Sequence, residues 1–141
     1  MSASKSREFV FQAFYHSVFL NEDFYSTKDE LKVVIDNLSK SIEAPQEHSE
    51  YIYDTLLSAQ KNRNQIEDLI SKHLKNWKLE RVSNIDKSIL ILAIAEMKYT
   101  KKKTPGAVVI NEYIEVAKKF GSEKSKSFVN GILDKISKLD N

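Results

Sequence analysis

The sequence predicts an all-α fold of about seven helices. Only three glycines and two prolines interrupt the 141 residues, whereas sheets need frequent turns built from such residues. Apolar residues recur three or four positions apart along most of the chain, which is the spacing of one helix face. The single Asn-Gly pair, Asn130-Gly131, lies inside a segment of helical spacing, so it does not indicate a hairpin.

Four helices are expected in the first half of the chain. The first covers about residues 4–20 and presents a broad apolar face. The second begins after Thr27, because Glu30 follows this hydroxyl at the spacing of a capping box. Pro45 fits the first turn of the third, where its missing N–H would have no intrahelical partner. The fourth covers about residues 64–74.

Three further helices are expected in the second half. Ser83, three residues before Asp86, is a suitable N-cap for the first of them. The run 89–95 is apolar nearly all round, which predicts a helix at the centre of the protein. Pro105 opens the next helix, and Gly121 is expected to end it in a left-handed conformation. The inward residues expected in the last two helices are Val108, Val109, Tyr113, Val116, Ala117 and Phe120, then Phe128, Ile132, Ile136 and Leu139.

Length and composition indicate one domain over residues 1–141, with helical halves at about 1–76 and 77–141. The first half has 9 basic and 12 acidic residues, a net charge of −3, whereas the second has 13 and 8, a net charge of +5. The chain has no cysteine, and its longest apolar run is far shorter than the roughly 20 residues that span a bilayer. We therefore expect a cytoplasmic protein with no membrane association, whose basic character lies in the second half.

The residues give no sign of catalytic chemistry. The three histidines, His16, His48 and His73, fall on separate predicted helices without metal-ligand spacing. Glycine-rich phosphate loops, zinc-protease motifs and nucleophile elbows are missing from the sequence. We therefore predict no enzyme activity, no cofactor and no metal site.

An ordered series of motifs resembles the NusB family. The first helix contributes Arg7-Glu8 and Gln12-Ala13-Phe14-Tyr15. The second half contributes Trp77-Lys-Leu-Glu-Arg81, Asn84-Ile-Asp-Lys-Ser-Ile-Leu90, Ala95-Glu96, Thr104-Pro105, Val109-Ile-Asn-Glu112, Glu115-Val-Ala-Lys118, Phe120-Gly121 and Ser127-Phe-Val-Asn-Gly-Ile-Leu-Asp134. Only residues 21–76 resemble the family loosely. The resemblance implies two packed three-helix bundles.

The resemblance also implies a function without catalysis. Proteins of this family bind boxA, a short single-stranded RNA element, together with a ribosomal protein of the small subunit. The assembly joins the antitermination complex of RNA polymerase during ribosomal RNA transcription. We therefore expect boxA-type RNA, the ribosomal protein and the polymerase complex as partners.

The expected site residues come from positions that match the family motifs and, for Lys101 to Lys103, from a cluster of basic charge that extends the RNA-binding track. The RNA-binding set is Lys5, Arg7, Gln12, Tyr15, Lys101, Lys102, Lys103 and Phe128, and Asp86 is assigned to the protein partner. Arg7 is expected to contact phosphate or base, and Tyr15 to make a polar or stacking contact. Tyr15 and Phe128 fit a core position equally well, and the lysine cluster also fits a complement to the helix dipole. Asn130 and Gly131 are expected to permit close helix approach.

The chain departs from the family in its thin N-terminal basic arm, where only Lys5 and Arg7 stand among serines. Fewer phosphate contacts predict feeble RNA binding by the protein alone, so that the ribosomal partner contributes much of the affinity. Two alternatives remain open at this point. One is an accessory RNA-binding domain of a ribosomal RNA methyltransferase, and the other is a protein-binding helical module that forms a homodimer.

Overall fold

Seven α-helices and one short 3-10 turn form the described part of the chain. The structure, a computed structural model, describes residues 3–20, 25–42, 49–75 and 78–139. The helices are α1 (Ala3–Leu20), α2 (Lys28–Leu38), α3 (Ser49–Lys61), α4 (Arg63–Ser71), α5 (Asn84–Lys98), α6 (Gly106–Phe120) and α7 (Ser125–Ser137), with the 3-10 turn at Leu79–Arg81. The all-α prediction is confirmed. Pro45, His48 and Trp77 lie outside the described residues, so their expected roles stay predictions.

Helix α5 is the centre of the molecule, as the sequence predicted. Every residue from Ser88 to Met97 is buried, and the helix packs against α1, α3, α4, α6 and α7. The Ser83 hydroxyl accepts a hydrogen bond from the Asp86 backbone N–H at 3.1 Å and caps the helix. An all-round apolar helix is stable only when neighbours cover every side, and five helices do so here.

The other helices divide into two groups around α5. Helices α6 and α7 pack on α5 and on each other, while α2, α3 and α4 form a second group. Helix α1 contacts both groups, because it packs on α5 and α6 as well as on α2 and α3. Its first turns face the C-terminal half of α5, and Phe11 meets Phe120 at the end of α6. Helix α1 is therefore antiparallel to α5 and parallel to α6.

The capping box predicted at the start of α2 is present. The Thr27 hydroxyl accepts from the Glu30 N–H at 3.2 Å, and the Glu30 carboxylate accepts from the Thr27 N–H at 3.2 Å. These two bonds satisfy donors that otherwise lack an intrahelical partner. The predicted stripe of α3 is also buried, with Ile52, Leu56 and Ala59 in the core.

Two expectations about glycines are wrong. Gly121 ends α6 with an extended backbone (φ −93°, ψ −172°), not a left-handed one. Glycine is required there for space, because an added Cβ would lie 2.5 Å from the Ser125 Oγ. Gly131 and Asn130 do not permit a close helix approach either, since both are exposed and a Cβ on Gly131 would meet no atom within 4 Å.

Two apolar residues that were expected to face inward are exposed. Val108 is 47% exposed and Leu139 is 43% exposed. Val109, one position after Val108, lies on the buried stripe of α6, so Val108 is turned about 100° away from it. Leu139 follows the last residue of α7 and lies past its packed length. Of the helices described, none combines the length and hydropathy that a bilayer-spanning helix needs.

Candidate nucleic-acid interface

Three aromatic rings form a row along one side of α1. Phe11, Tyr15 and Phe19 are four residues apart, which places them on one helix face. The ring centroids are 5.7 Å apart for Phe11 and Tyr15, and 5.8 Å apart for Tyr15 and Phe19. Exposure increases along the row from 3% at Phe11 to 59% at Phe19. The half-buried Tyr15 ring and the exposed Phe19 ring are therefore available for stacking by a ligand.

A cleft of about 270 Å³ lies beside this row, and we call it the α1 cleft. Its lining residues are Phe11, Gln12, Tyr15, His16, Leu38, Ile42, Ile85 and Phe120. The Phe120 ring packs on Phe11 with 5.0 Å between centroids. An apolar concave surface with a few polar groups is typical of ligand sites. The α1 cleft brings together Gln12 and Tyr15, two residues predicted to contact RNA.

Asp86, the predicted contact for the protein partner, is not among the lining residues of the α1 cleft. It follows the lining residue Ile85 in the first turn of α5. Its Oδ1 is buried and has no hydrogen-bond partner within the described ranges. A buried carboxylate oxygen without a donor is costly. Because this oxygen is buried, it does not carry the expected contact, and the role of Asp86 toward a protein partner stays a prediction.

The expected RNA contact by Arg7 does not agree with the structure. Arg7 is only 5% exposed. Its Nη2 and Nε donate to the two carboxylate oxygens of Glu96, at 2.7 and 3.2 Å, and its Nη1 lies 3.6 Å from Glu112 Oε1. Since a buried carboxylate needs a cation and hydrogen-bond donors, this arginine stabilises the interior.

Two tyrosines complete the cluster around Glu96. The hydroxyls of Tyr51 and Tyr113 each donate to Glu96 Oε2 at 2.6 Å, and the Arg7 guanidinium lies over both rings, 5.3 and 6.0 Å from their centroids. The four side chains join α1, α3, α5 and α6. They fix the position of α1, and with it the α1 cleft.

Burial and the neighbouring groups together shift the pKa values of the tyrosines and the arginine in this cluster. Burial, followed by the neighbouring Glu96 carboxylate, raises the pKa of Tyr51 and the pKa of Tyr113 above their ordinary value. Burial alone would lower the pKa of Arg7, but Tyr51, Glu96 and Tyr113 together raise it. The tyrosines therefore stay neutral and Arg7 stays charged at neutral pH.

The predicted lysine track lies away from the α1 cleft. Lys101, Lys102 and Lys103 are exposed after the end of α5, and the Lys101 N–H donates to Asp54 Oδ2 on α3 at 3.0 Å. Ile85 is at the opposite end of α5, and a rise of 1.5 Å per residue makes the separation about 20 Å. Lys5 is exposed in the first turns of α1.

Phe128 lies at the same end of the molecule as the α1 cleft. It is in the first turn of α7, which follows the end of α6 after a short connection. Its ring is half-buried and packs against the core. Phe128 therefore has a packing role and retains some accessible surface.

The two histidines that the structure describes, His16 and His73, do not form a shared ligand set. His16 lines the α1 cleft, whereas His73 lies 2.9 Å from the Leu69 carbonyl oxygen through Nδ1. Within the described ranges, no group of His, Asp and Glu side chains is arranged to hold a metal ion.

A family model described as the NusB family matches residues 4–138 of the chain. The chain belongs to the NusB family. It is 38% identical to the transcription antitermination protein NusB of Bacillus cereus over 136 residues, which cover 96% of this chain and 97% of that protein. The NusB of Bacillus thuringiensis shows the same identity and coverage.

Solved NusB structures share the fold. A structure of T. maritima NusB superposes with a TM-score of 0.78 at 33% identity, and the match covers 98% of this chain and 93% of that one. A crystal structure of the antitermination factors NusB and NusE in complex with double-stranded RNA gives a TM-score of 0.75 at 27% identity, with 96% and 95% coverage.

Sequence reasoning missed several residues of this NusB surface. Phe11, Phe19 and Phe120 build the row and the cleft, and Lys119 pairs with Glu8 while lying 5.6 Å from the Phe120 ring centroid. The i, i+4 spacing of Phe11, Tyr15 and Phe19 was a visible signal for the row. Contacts from α6 had no local signal, because Lys119 and Glu8 are far apart in the sequence.

Proposed function

We propose that this chain is an antitermination factor that binds boxA-type single-stranded RNA together with a ribosomal protein of the small subunit. It acts in the cytoplasm, on RNA polymerase complexes that transcribe ribosomal RNA, and it catalyses no reaction. The α1 cleft carries this proposal, because it brings Gln12 and Tyr15 together, and the exposed Phe19 ring lies 5.8 Å from the Tyr15 ring.

The shape of the α1 cleft favours unpaired bases. Stacking on Tyr15 or Phe19 requires a base face, and bases in a duplex are already stacked on each other. Gln12 offers an amide, which can donate to and accept from a base edge. The NusB–NusE structure similar to this chain contains double-stranded RNA, so the preference for single strands needs a direct comparison of both forms.

A solved relative supports a protein partner beside the RNA. Asp86, in the first turn of α5, is the residue predicted to contact this partner. The relative in the solved complex has NusE as its protein partner. The chain also matches proteins named transcription antitermination protein NusB over nearly their whole length. These points favour antitermination over an accessory methyltransferase domain.

Charge predicts that the protein alone binds RNA weakly. With Arg7 buried against Glu96, the thin N-terminal arm has one cation fewer for phosphate than the sequence suggested. The dependence of affinity on salt is expected to be shallow, because its slope follows the number of phosphates that are neutralised. The partner is then needed to raise affinity.

Titration of fluorescent boxA-type RNA with the purified chain, with and without the small-subunit ribosomal protein, tests the proposal. We expect tighter binding in the presence of the partner, and weaker binding of the same RNA when it is annealed into a duplex. Gln12→Ala is expected to weaken binding, whereas Gln65→Ala on the exposed side of α4 serves as its control. Binding of neither the RNA nor the ribosomal protein at low salt would refute the proposal.

A further inference from the structure

A second groove adjoins the α1 cleft. It has a volume of about 360 Å³, and its lining residues are Ala13, His16, Val34, Asn37, Leu38 and Ser41. We call it the α1–α2 groove. It shares His16 and Leu38 with the α1 cleft. The two therefore form one continuous surface that runs from the end of α6 across α1 to α2.

The lining of the α1–α2 groove suits a flat, uncharged ring with polar edges. Ala13, Val34 and Leu38 are apolar, whereas His16, Asn37 and Ser41 carry hydrogen-bonding groups, and His16 and Asn37 are exposed. An asparagine amide has two donor hydrogens and one acceptor oxygen, and it pairs with two neighbouring polar atoms of an adenine edge. A nucleobase has this combination of apolar faces and polar edges.

The charge of the surface is compatible with RNA. Among the described residues that line the α1 cleft and the α1–α2 groove, none is acidic, so these side chains present no like charge to a phosphate beside a bound base. Lys40 lies next to the lining residue Ser41 and is exposed. A cation at this end of α2 is attracted to the RNA backbone and complements the helix C-terminus.

We propose that the α1–α2 groove binds a second unpaired base of the RNA, next to the base at Tyr15, and that Asn37 reads its edge. This inference rests on the proposed function and adds a base-selective subsite to it. Helix α2 lies in the part of the chain that resembles the NusB family least. A contact from α2 therefore gives this chain its own sequence preference within boxA-type RNA.

An abasic scan tests the subsite. Single-stranded boxA-type RNAs, each lacking one base, are titrated with the wild type, Asn37→Ala and Ser41→Trp, the last of which fills the groove from an exposed position. The matched controls are Asn64→Ala and Ser71→Trp, at exposed positions of α4. We expect both groove variants to weaken binding of intact RNA about fivefold or more, the effect of losing one good base contact, and the controls to bind as the wild type.

At one abasic position, Asn37→Ala and the wild type should bind the RNA with equal affinity, because the base that contacts Asn37 is then missing. Groove variants that bind intact RNA as tightly as the wild type would overturn the subsite while leaving the proposed function intact. The subsite would also be overturned if the groove variants lost the same affinity for every abasic RNA. It would likewise be overturned if Ser41→Trp changed self-association in light scattering and left RNA affinity unchanged. Failure of the wild type to bind any of the RNAs would overturn both proposals.

Discussion

Replacing Arg7 with alanine removes the cation that faces the buried Glu96 carboxylate. Glu96 is 1% exposed and accepts two hydrogen bonds from the Arg7 guanidinium, at 2.7 and 3.2 Å. Removing one partner of a buried ion pair costs about 3–5 kcal/mol, because the other charge stays buried without compensation. Since a domain of this size has about 5–15 kcal/mol of stability, Arg7→Ala is expected to lose a large part of it.

Urea denaturation followed by circular dichroism measures this loss. In a separate thermal melt, the unfolding temperature of Arg7→Ala should fall by about 10 °C, at about 2–4 °C per kcal/mol. Arg81→Ala is the matched control, because Arg81 is exposed in the 3-10 turn, and it should change stability by no more than about 0.5 kcal/mol. The double variant Arg7→Met with Glu96→Leu should cost less than the sum of its two single changes, since no buried charge is left alone.

An Arg7→Ala protein that unfolds within about 1 kcal/mol of the wild type and yet loses RNA affinity would refute this reasoning. That result would return Arg7 to the RNA-contacting role that the sequence suggested. A loss of stability without a change in the RNA affinity of the folded fraction would support the buried role.

Three further predictions concern pH and glycine. The pKa values of Tyr51 and Tyr113 are raised in the folded protein. Their contribution to the free energy of unfolding is therefore complete below about pH 10, and above it this contribution falls by about 1.4 kcal/mol per tyrosine and pH unit. Denaturation of the wild type and the double phenylalanine variant across alkaline pH should show a smaller loss in the variant, and parallel curves would contradict this. Gly131→Ala should raise the midpoint of urea denaturation by the equivalent of about 0.5–1 kcal/mol, because the helix position is exposed and spacious; a decrease would show that the position is crowded. Gly121→Ala should instead lower thermal stability, because its Cβ would lie 2.7 Å from the Ser125 Cβ; unchanged unfolding would show that the turn can relax.

Local patterns predicted the helices well, because their signals lie within a few residues. Thr27 and Glu30 are three residues apart and form the predicted capping box. Ser83 caps α5 as expected. The run 89–95 could be placed at the centre because no polar face remained for solvent.

The interior charge cluster depended on distant residues and was not predicted. Arg7 and Glu96 are 89 positions apart, and an arginine near the start of a helix has the pattern of a surface residue. The available signal was Glu96 itself, because a carboxylate next to the apolar run 89–95 implies a buried cation. The sequence alone did not identify which cation pairs with Glu96, because the partner lies 89 positions away.

The candidate site was predicted in part. The family motif indicated Gln12 and Tyr15, which the α1 cleft brings together. Lys101–Lys103 were grouped with them because of charge, but the length of α5 separates the lysines from the cleft. Distances of this kind require knowledge of which helix ends meet, and charge patterns carry no such information.

The affinity of Tyr15→Leu for boxA-type single-stranded RNA, measured by fluorescence anisotropy beside the wild type, tests the α1 cleft most directly. Leucine keeps apolar packing and removes the stacking face, so binding should weaken about tenfold, as expected for one lost stacking contact. Tyr53→Leu, at a half-buried position of α3, should bind as the wild type. Equal affinities of Tyr15→Leu and the wild type would contradict RNA binding through the α1 cleft.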